Sequence, residues 1–317
     1  MLKVTVLDGY AANPGDLDWN IFKDIAELTV YDRTPPELVV ERIEDSDAIF
    51  LNKVNITKQI IEQCPKLKYI GVMATGYNVV DTKAAREAGI TVTNIPAYST
   101  DSVAQHTFAL ILNFTNQVEQ HSQSVQNGDW IKSPDFCYWK SPLTELKGKT
   151  LGIFGFGSIG QKVAEIAHAF GMNVIIHVHS PNSFKGNEKA VSLDELFEQS
   201  DFITLHAPMT AETSQLINKN TISKMKKTAV IINTARGGLV NEGDLRQALD
   251  EGQIAGYAAD VIGTEPMKND CPLYKAKNCV LTPHIAWAPL EARQRLFKIA
   301  LENLKAFAAG KSINVVN

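Results

Sequence analysis

The segment from Leu151 to Gly160, LGIFGFGSIG, limits what this chain can fold into more than any other stretch. A short apolar run leads into three glycines at G-x-G-x-x-G spacing, and the next residues, QKVAEIAHAFGMNVIIHV, have the pattern of a helix followed by a strand. Strand, glycine loop, helix and strand in this order open a dinucleotide-binding unit. We therefore predict a Rossmann-like domain that begins near the middle of the chain.

Each of the three glycines has a physical role in this interpretation. Gly155 permits a tight turn, Gly157 lets a pyrophosphate approach the backbone, and Gly160 lets the helix pack closely against its strand. The first N–H groups of the helix would then face the phosphates. The spacing alone is weak evidence, but the complete order of elements predicts a nicotinamide dinucleotide site.

The end of the second strand of this unit departs from the usual pattern. An acidic residue that hydrogen-bonds the adenosine ribose is expected about 20 residues after the glycines, yet the chain has Val178, followed by His179 and Ser180. No carboxylate would repel a 2′-phosphate, but there is also no arginine to bind one. Both NAD(H) and NADP(H) therefore remain candidates, and His177 is interpreted as an ordinary strand residue.

A second α/β pattern precedes the glycine loop. Before residue 100, five β-rich runs alternate with helical stretches, which predicts a parallel sheet without a phosphate-binding loop; the runs are VTVLD, LTVYD, AIFLN, YIGVM and ITVTN. From Asp101 a long segment with apolar residues at helical spacing continues to Asn127 and Gly128, a pair typical of a helix end. The dinucleotide site thus lies mid-chain because a separate domain comes first.

The second half continues the alternation of strands and helices. Its strand candidates are TLGIFGFG, NVIIHV, DFITLHAP, TAVIINTAR, IAGYAADV and NCVLTPH, and a final helix, LEARQRLFKIALENLKAF, is expected to pack on the first domain. The predicted fold class is α/β, with two Rossmann-like or flavodoxin-like parallel-sheet domains and an active site in the cleft between them. The expected substrate-binding domain is split, 1–99 plus 286–317, and the cofactor domain covers 100–285.

Composition excludes several classes of function. The 317 residues carry a net charge of −4 without any block of Lys or Arg, which argues against nucleic-acid and anionic-membrane partners. No apolar run reaches the length of a membrane span, and the amino terminus lacks the apolar core of a signal peptide. Four cysteines without C-x-x-C pairing favour a reduced, cytoplasmic protein and no metal site.

Three residue types suited to hydride transfer with a 2-oxo acid follow strands of the second half. Arg236 in NTARGG would bind a carboxylate through its planar fork, and Gly237 and Gly238 would remove side-chain bulk from the cleft. His284 in LTPHIAW would donate a proton to the carbonyl oxygen, and Glu265 in GTEP would orient the imidazole and favour its charged form.

Each of these three residues also has an ordinary structural interpretation. An arginine in a turn is often a surface ion-pair residue, a glutamate before proline is often solvated, and a histidine after proline can be part of a core. The common position after the carboxyl ends of parallel strands favours the functional interpretation, because ligands bind at that edge of such sheets.

The chain resembles the D-isomer-specific 2-hydroxyacid dehydrogenases from Val72 to Trp287. The matching motifs are ATGYNVVD, PAYSTDSVAQHTFAL, LGIFGFGSIGQKVA, INTARGGLVNEGDL, AADVIGTEP and LTPHIAW. The resemblance implies a split substrate domain, a mid-chain Rossmann domain and a catalytic triad of Arg236, Glu265 and His284. It also implies homodimers formed through the inter-domain helix region.

The resemblance extends to residues around the triad. Backbone N–H groups of Thr75 and Gly76 would bind the substrate carboxylate, and Tyr98 and Trp287 would be pocket walls, although core packing explains these two equally well. Asp260 corresponds to the position that holds the nicotinamide carboxamide. The remaining cofactor contacts implied by the matching motifs are Ser158, Ile159, Pro208 and Thr234.

Two departures from the family and one subgroup signal refine the expectation. Val178 stands where the family commonly has Asp, and Gln105 where many members have Glu.

SPDFCYW and ATGYNVVD are most similar to the glycerate dehydrogenase (hydroxypyruvate reductase) branch. The aromatic residues of the loop that contains SPDFCYW could instead form a dimer contact. The alternatives are a reductase of a bulkier 2-oxo acid such as phenylpyruvate, and a non-enzymatic dinucleotide sensor similar to corepressors of this fold.

Overall fold

The computed structural model describes residues 1–178 and 186–317, which form two compact units. The split unit consists of Met1–Ser99 and Trp287–Asn317, and the continuous unit consists of Thr100–Ala286. Among the helices of these described segments, none combines the length and apolar character that crossing a bilayer requires.

The split unit contains a parallel sheet of five strands. They are β1 (Leu2–Val6), β2 (Ala26–Val30), β3 (Ala48–Leu51), β4 (Tyr69–Val72) and β5 (Thr91–Thr93), in the order β2-β1-β3-β4-β5. The helices along this part of the chain are α1 (Gly9–Ala12), α2 (Val39–Ile43), α3 (Lys58–Gln63) and α4 (Thr82–Glu87). All five runs predicted from the sequence are strands of this flavodoxin-like sheet.

The continuous unit begins with helices and then forms the larger sheet. Its helices are α5 (Thr100–Asn116), α6 (Val118–Gln126), α7 (Ser158–Ala169), α8 (Leu193–Gln199), α9 (Lys219–Ile222) and α10 (Glu242–Asp250). Its described strands are β6 (Thr150–Phe154), β7 (Asn173–His177), β8 (Lys189–Ala190), β9 (Phe202–Leu205), β10 (Val230–Asn233), β11 (Gly256–Ala259) and β12 (Cys279–Leu281). β8, a two-residue edge strand, has no signal in the sequence.

The larger sheet is parallel, with the order β12-β11-β10-β9-β6-β7-β8. Its strand order reverses between β6 and β9, the switch point at which ligands bind in open α/β sheets. Apolar side chains from α5 and α7, including Phe108 and Val163, cover one face. Leu196, Ile222 and Leu245, from α8, α9 and α10, pack on the other. The sheet is therefore buried on both faces, as parallel sheets generally are.

The final helix of the chain, α11 (Leu290–Ala308), belongs to the split unit. Its buried residues Leu296 and Phe297 lie in one core with Val4, Phe22 and Phe50. Arg293, only 8% exposed, forms a bidentate ion pair with Asp16, with both N···O distances 2.6 Å. The chain thus returns to its first domain at the end, as the sequence predicted.

The long helical segment after residue 100 differs from its prediction. It ends at Asn127 and Gly128 as expected, but it is two helices, because Gln117 between α5 and α6 has a left-handed backbone with φ 47°. The carbonyl of Thr115, in the last turn of α5, accepts a hydrogen bond from the N–H of Thr144. A tertiary contact therefore replaces a continued helical hydrogen bond at this point.

Candidate functional site

The glycine loop follows β6 and lies against the segment that follows β9. Gly155 has φ +90°, and a Cβ atom there would lie 2.7 Å from the backbone nitrogen of Ala207. A Cβ at Gly160 would lie 2.4 Å from the carbonyl oxygen of Gly155. Both positions therefore require glycine for steric reasons, which agrees with the roles inferred from the sequence.

The same loop leaves space and hydrogen-bonding groups for a dinucleotide. A Cβ at Gly157 would meet no atom within 4 Å, and α7 begins at the next residue without a side-chain cap. His206, immediately after β9, has a buried Nε2 atom without a hydrogen-bond partner in the described parts of the chain. Burial lowers the pKa of His206 to about 3, so its imidazole is neutral. These residues fit a bound pyrophosphate at a helix N-terminus.

Three other predicted cofactor residues lie in or next to β7 and α7, and two lie outside the described residues. Ile159 and Val178 are half-buried and pack on the core under α7, while Ser158 is exposed at the first position of that helix. His179 and Ser180 lie outside the described residues. His177 stacks on Phe154 with ring centroids 5.6 Å apart, a packing role consistent with an ordinary strand residue.

Pro208 and Thr234 follow β9 and β10 at the same edge of the sheet. The carbonyl of Pro208 accepts a hydrogen bond from the Thr213 hydroxyl at 2.8 Å. Thr234 Oγ1 lies 3.2 Å from the hydroxyl of Thr107 on α5. Both residues thus have partners within their own unit that hold their loops.

Two of the three predicted catalytic side chains are in direct contact. Nδ1 of His284 lies 2.6 Å from Oε2 of Glu265, and the two side chains are 29% and 32% exposed. His284 has a left-handed backbone with φ 56°. Since Nδ1 faces a carboxylate, it carries the proton, and Nε2 is the ring nitrogen that does not face Glu265.

Asp260 anchors the loop that carries His284. Its Oδ1 accepts hydrogen bonds from the Thr282 hydroxyl at 2.6 Å and from the Ile285 N–H at 2.8 Å, and its Oδ2 accepts from the Ala286 N–H at 2.8 Å. Asp260 is only 1% exposed. The carboxylate thus binds a side-chain hydroxyl before His284 and two backbone N–H groups after it, a role that the sequence did not predict; the carboxamide contact stays a prediction.

His106 on α5 extends this network. Its Nε2 lies 3.0 Å from Oγ1 of Thr282 and 3.5 Å from Oδ1 of Asp260. Because the Thr282 hydroxyl gives its proton to Asp260, Nε2 of His106 is the donor in the contact with Thr282. The only sequence signal for this residue is a histidine within the apolar stripe of α5.

Arg236 is exposed after β10, and its Nη1 donates to the carbonyl of the preceding residue at 2.7 Å. The glycines that follow are in close contact with other segments. A Cβ at Gly237 would lie 1.9 Å from the carbonyl carbon of Ile262, and one at Gly238 would lie 2.2 Å from the sulfur of Met209. Gly237 is needed for close packing because it meets backbone, whereas the flexible, exposed Met209 side chain can move away from a Cβ at Gly238. Gly237 brings the Arg236 loop against the segment that leads to Glu265.

The predicted substrate residues of the split unit differ in exposure. Thr75 Oγ1 donates to the carbonyl of Ile95 at 2.8 Å, whereas the backbone N–H groups of Thr75 and Gly76 have no acceptor among the described residues. Tyr98 is 5% exposed and, with the partly buried Trp287, packs on the core of this unit. Available N–H groups fit carboxylate binding, while Tyr98 and Trp287 have the core packing that was the alternative.

No group of three or more His, Cys, Asp or Glu side chains in the described segments could hold a metal ion. The glycine loop, His206 and the loops of Arg236, Glu265 and His284 follow strands at the carboxyl edge of the larger sheet. Groups of these types are suited to anion binding and proton transfer.

Comparisons with known proteins agree with this geometry. Residues 108–286 match the family model described as D-isomer specific 2-hydroxyacid dehydrogenase, NAD binding domain, so the cofactor is a nicotinamide dinucleotide. The hydroxypyruvate reductase of Blautia hydrogenotrophica is 48% identical over 321 residues, covering 100% of both chains. The glycerate dehydrogenase of Methylorubrum extorquens is 40% identical over 317 residues, covering 99% of this chain and 98% of its own.

A solved structure extends the comparison to the fold. The NADPH-dependent glyoxylate/hydroxypyruvate reductase of Sinorhizobium meliloti, in complex with citrate, superposes with a TM-score of 0.85 at 28% identity, covering 100% of this chain and 98% of that one. Sequence and fold therefore agree over the whole length. The chain belongs to the D-isomer specific 2-hydroxyacid dehydrogenases.

Proposed function

We propose that this dehydrogenase reduces hydroxypyruvate to D-glycerate with a reduced nicotinamide cofactor, and glyoxylate to glycolate as a second reaction. The observation that carries the proposal is the 48% identity, over the full length, to a hydroxypyruvate reductase. The contact between His284 and Glu265 supports it, because a 2-oxo acid needs a proton donor at its carbonyl oxygen.

The proposed chemistry assigns one task to each catalytic side chain. The guanidinium of Arg236 binds the substrate carboxylate through two parallel N–H···O bonds. A nicotinamide dinucleotide held at the glycine loop, Gly155 to Gly160, would supply the hydride for the carbonyl carbon. Nε2 of the charged His284 gives its proton to the carbonyl oxygen, so that one hydride and one proton convert the ketone to an alcohol. Glu265 accepts the Nδ1–H bond and stabilises the charged imidazole until the proton leaves.

Each unit is proposed to bind a different group. The continuous unit would bind the dinucleotide, and the backbone N–H groups of Thr75 and Gly76 in the split unit would bind a carboxylate. The choice between NADH and NADPH depends on the end of β7, where Val178 offers neither the carboxylate typical of NAD sites nor a cation for a 2′-phosphate. NADH and NADPH therefore both have to be compared as cofactors in the rate measurement.

We also propose a homodimer formed through the aromatic arm, residues 129–143 of the continuous unit. Ile131 and Phe136 are each 89% exposed and Trp139 is 66% exposed, although the arm is ordered by a hydrogen bond from Trp130 Nε1 to the carbonyl of Phe136. Large apolar side chains that an ordered segment leaves in water are typical of an interface. A second copy of this chain is the proposed partner.

The proposed location is the cytoplasm. All four cysteines are free thiols, and Cys64 is buried while Cys137 is exposed. Thiols of this kind persist in a reducing compartment. Fractionation of the producing cell would test this, and recovery outside the reducing compartment would contradict it.

The initial rate of hydroxypyruvate reduction by the purified protein tests the proposed function. The loss of reduced-nicotinamide absorbance is followed with NADH and NADPH in parallel, and glyoxylate and phenylpyruvate are compared as substrates. We expect the highest kcat/KM with hydroxypyruvate. A preference for phenylpyruvate would keep the family and overturn the substrate. Tight dinucleotide binding without turnover of any 2-oxo acid would favour the sensor instead.

A pair of histidine variants tests the acid. We expect His284→Ala to lower kcat by at least ~100-fold, the lower end for a lost general acid or base, with unchanged dinucleotide affinity. His168→Ala is the control, because His168 lies in the last turn of α7 and contacts Glu188. Equal kcat values for the two variants would remove His284 from the mechanism.

A further inference from the structure

Glu242 is a charged side chain that the proposed chemistry does not use. It is the first residue of α10, whose N-terminus is already capped by the side chain of Asn241. Oε1 of Glu242 accepts a hydrogen bond from the backbone N–H of Gly263 at 2.7 Å, and Oε2 lies 3.8 Å from the sulfur of Cys271. The carboxylate thus turns away from its own helix and toward the segment that carries Glu265.

The segment that carries Glu265 has little regular structure of its own. Neither a helix nor a strand occurs between Ala259 and Cys279, a stretch that the structure describes completely. Oε1 of Glu265 accepts a weak hydrogen bond, 3.3 Å long, from the N–H of Ile262. No regular element holds residues 262–264, so contacts from other segments contribute to their position.

Two such contacts exist on adjacent residues. Gly237 packs against the backbone of Ile262, so closely that a Cβ atom there would overlap it. The bond from Gly263 to Glu242 is the second contact, and it is the shorter, charge-assisted kind. Both contacts lie within three residues of Glu265, whose carboxylate meets Nδ1 of His284.

We propose that Glu242 is a positioning residue, whose hydrogen bond from the Gly263 N–H holds the Glu265 loop so that Glu265 stays aimed at His284. The inference rests on the proposed function for its kinetic consequence. It assigns Glu242 no contact with substrate or cofactor. A misplacement of about 1 Å at a reacting group can cost on the order of 100-fold in rate, so a loop contact of this kind has a measurable effect.

Two conservative variants of Glu242 separate the effect of side-chain length from the effect of side-chain charge. Glu242→Gln keeps an oxygen at the same distance from Gly263 but removes the charge, whereas Glu242→Asp keeps the charge at the start of α10 but is one methylene too short. We expect the kcat of Glu242→Gln to stay within about 3-fold of wild type. We expect Glu242→Asp to lower kcat by roughly 10-fold or more, with unchanged dinucleotide affinity. The opposite order would overturn the proposal, because it would indicate a charge effect at the helix N-terminus.

A double-mutant cycle with Glu265→Gln tests whether Glu242 acts through Glu265. If it does, Glu242→Asp lowers kcat by less than about 2-fold in the Glu265→Gln background, although it is costly in wild type. A general loss of structure would instead lower kcat equally in both backgrounds and would overturn the proposal.

A readout without substrate distinguishes this proposal from the proposed function. In protein labelled with ¹⁵N-histidine, the Nδ1–H proton of His284 reports its bond to Glu265, and the His284→Ala spectrum assigns it among the seven histidines. We expect Glu242→Gln to retain this resonance and Glu242→Asp to shift or lose it. An unchanged resonance in Glu242→Asp refutes the positioning role even if hydroxypyruvate is the substrate. A lost resonance supports the role even if hydroxypyruvate is not turned over.

Discussion

The neutral imidazole of His206 makes the stability of the protein depend on pH in a calculable way. Burial lowers its pKa from 6.5 to about 3, so between these values the unfolded chain binds a proton that the folded chain does not. The contribution to stability is present above pH 6.5 and is lost as the pH falls toward 3. From pH 7 to pH 5 the loss amounts to about 2 kcal/mol, since each pH unit below 6.5 costs about 1.4 kcal/mol.

The comparison with His206→Gln isolates this contribution. Asp8, whose pKa burial raises, contributes to the pH dependence with the opposite sign, but this carboxyl group is common to both proteins. The free energy of unfolding is measured in urea by circular dichroism at pH 7, 6 and 5, without dinucleotide and at one protein concentration.

We expect wild type to lose about 2 kcal/mol relative to His206→Gln between pH 7 and pH 5. A difference between the two proteins that changes by less than about 0.5 kcal/mol would refute the reasoning. The imidazole would then be protonated or hydrated in the folded state, and Nε2 would not be an unpaired atom beside the glycine loop.

Three further predictions concern the substrate, the histidine loop and the arm. Arg236→Lys should lower kcat/KM for hydroxypyruvate by roughly 10-fold or more without affecting dinucleotide binding, because a point charge cannot replace a bidentate fork; an unchanged kcat/KM would remove Arg236 from the site. Asp260→Asn should destabilise the protein by about 1–3 kcal/mol and lower kcat, because its amide would place a buried donor against an N–H group. Thermal unfolding measures the stability and steady-state kinetics measures kcat. A wild-type stability together with a wild-type kcat would contradict the anchoring role. Combining Phe136→Ser with Trp139→Ser should raise the dimer dissociation constant in analytical ultracentrifugation, and an unchanged constant would exclude the arm as the interface.

The sequence by itself determined the order of strands and helices and the place of the dinucleotide loop. Runs such as AIFLN and TAVIINTAR are short, apolar and bounded by turn residues, and they form β3 and β10. Gly155 and Gly160 were predicted from the motif, and a Cβ at either position would collide with backbone, at Ala207 and at Gly155 respectively. Arg236, Glu265 and His284 could be grouped in advance, because the carboxyl ends of parallel strands share one edge of the sheet.

Only the tertiary structure decided which groups hold that edge in place. The left-handed Gln117 divides a segment whose apolar pattern continues unbroken, and Gly237 packs on a backbone 25 positions further along the chain. Asp260 and Glu242 bond to N–H groups 21 to 26 residues away. Such choices of partner depend on the distance between folded segments, and periodicity along a chain carries no information about that distance.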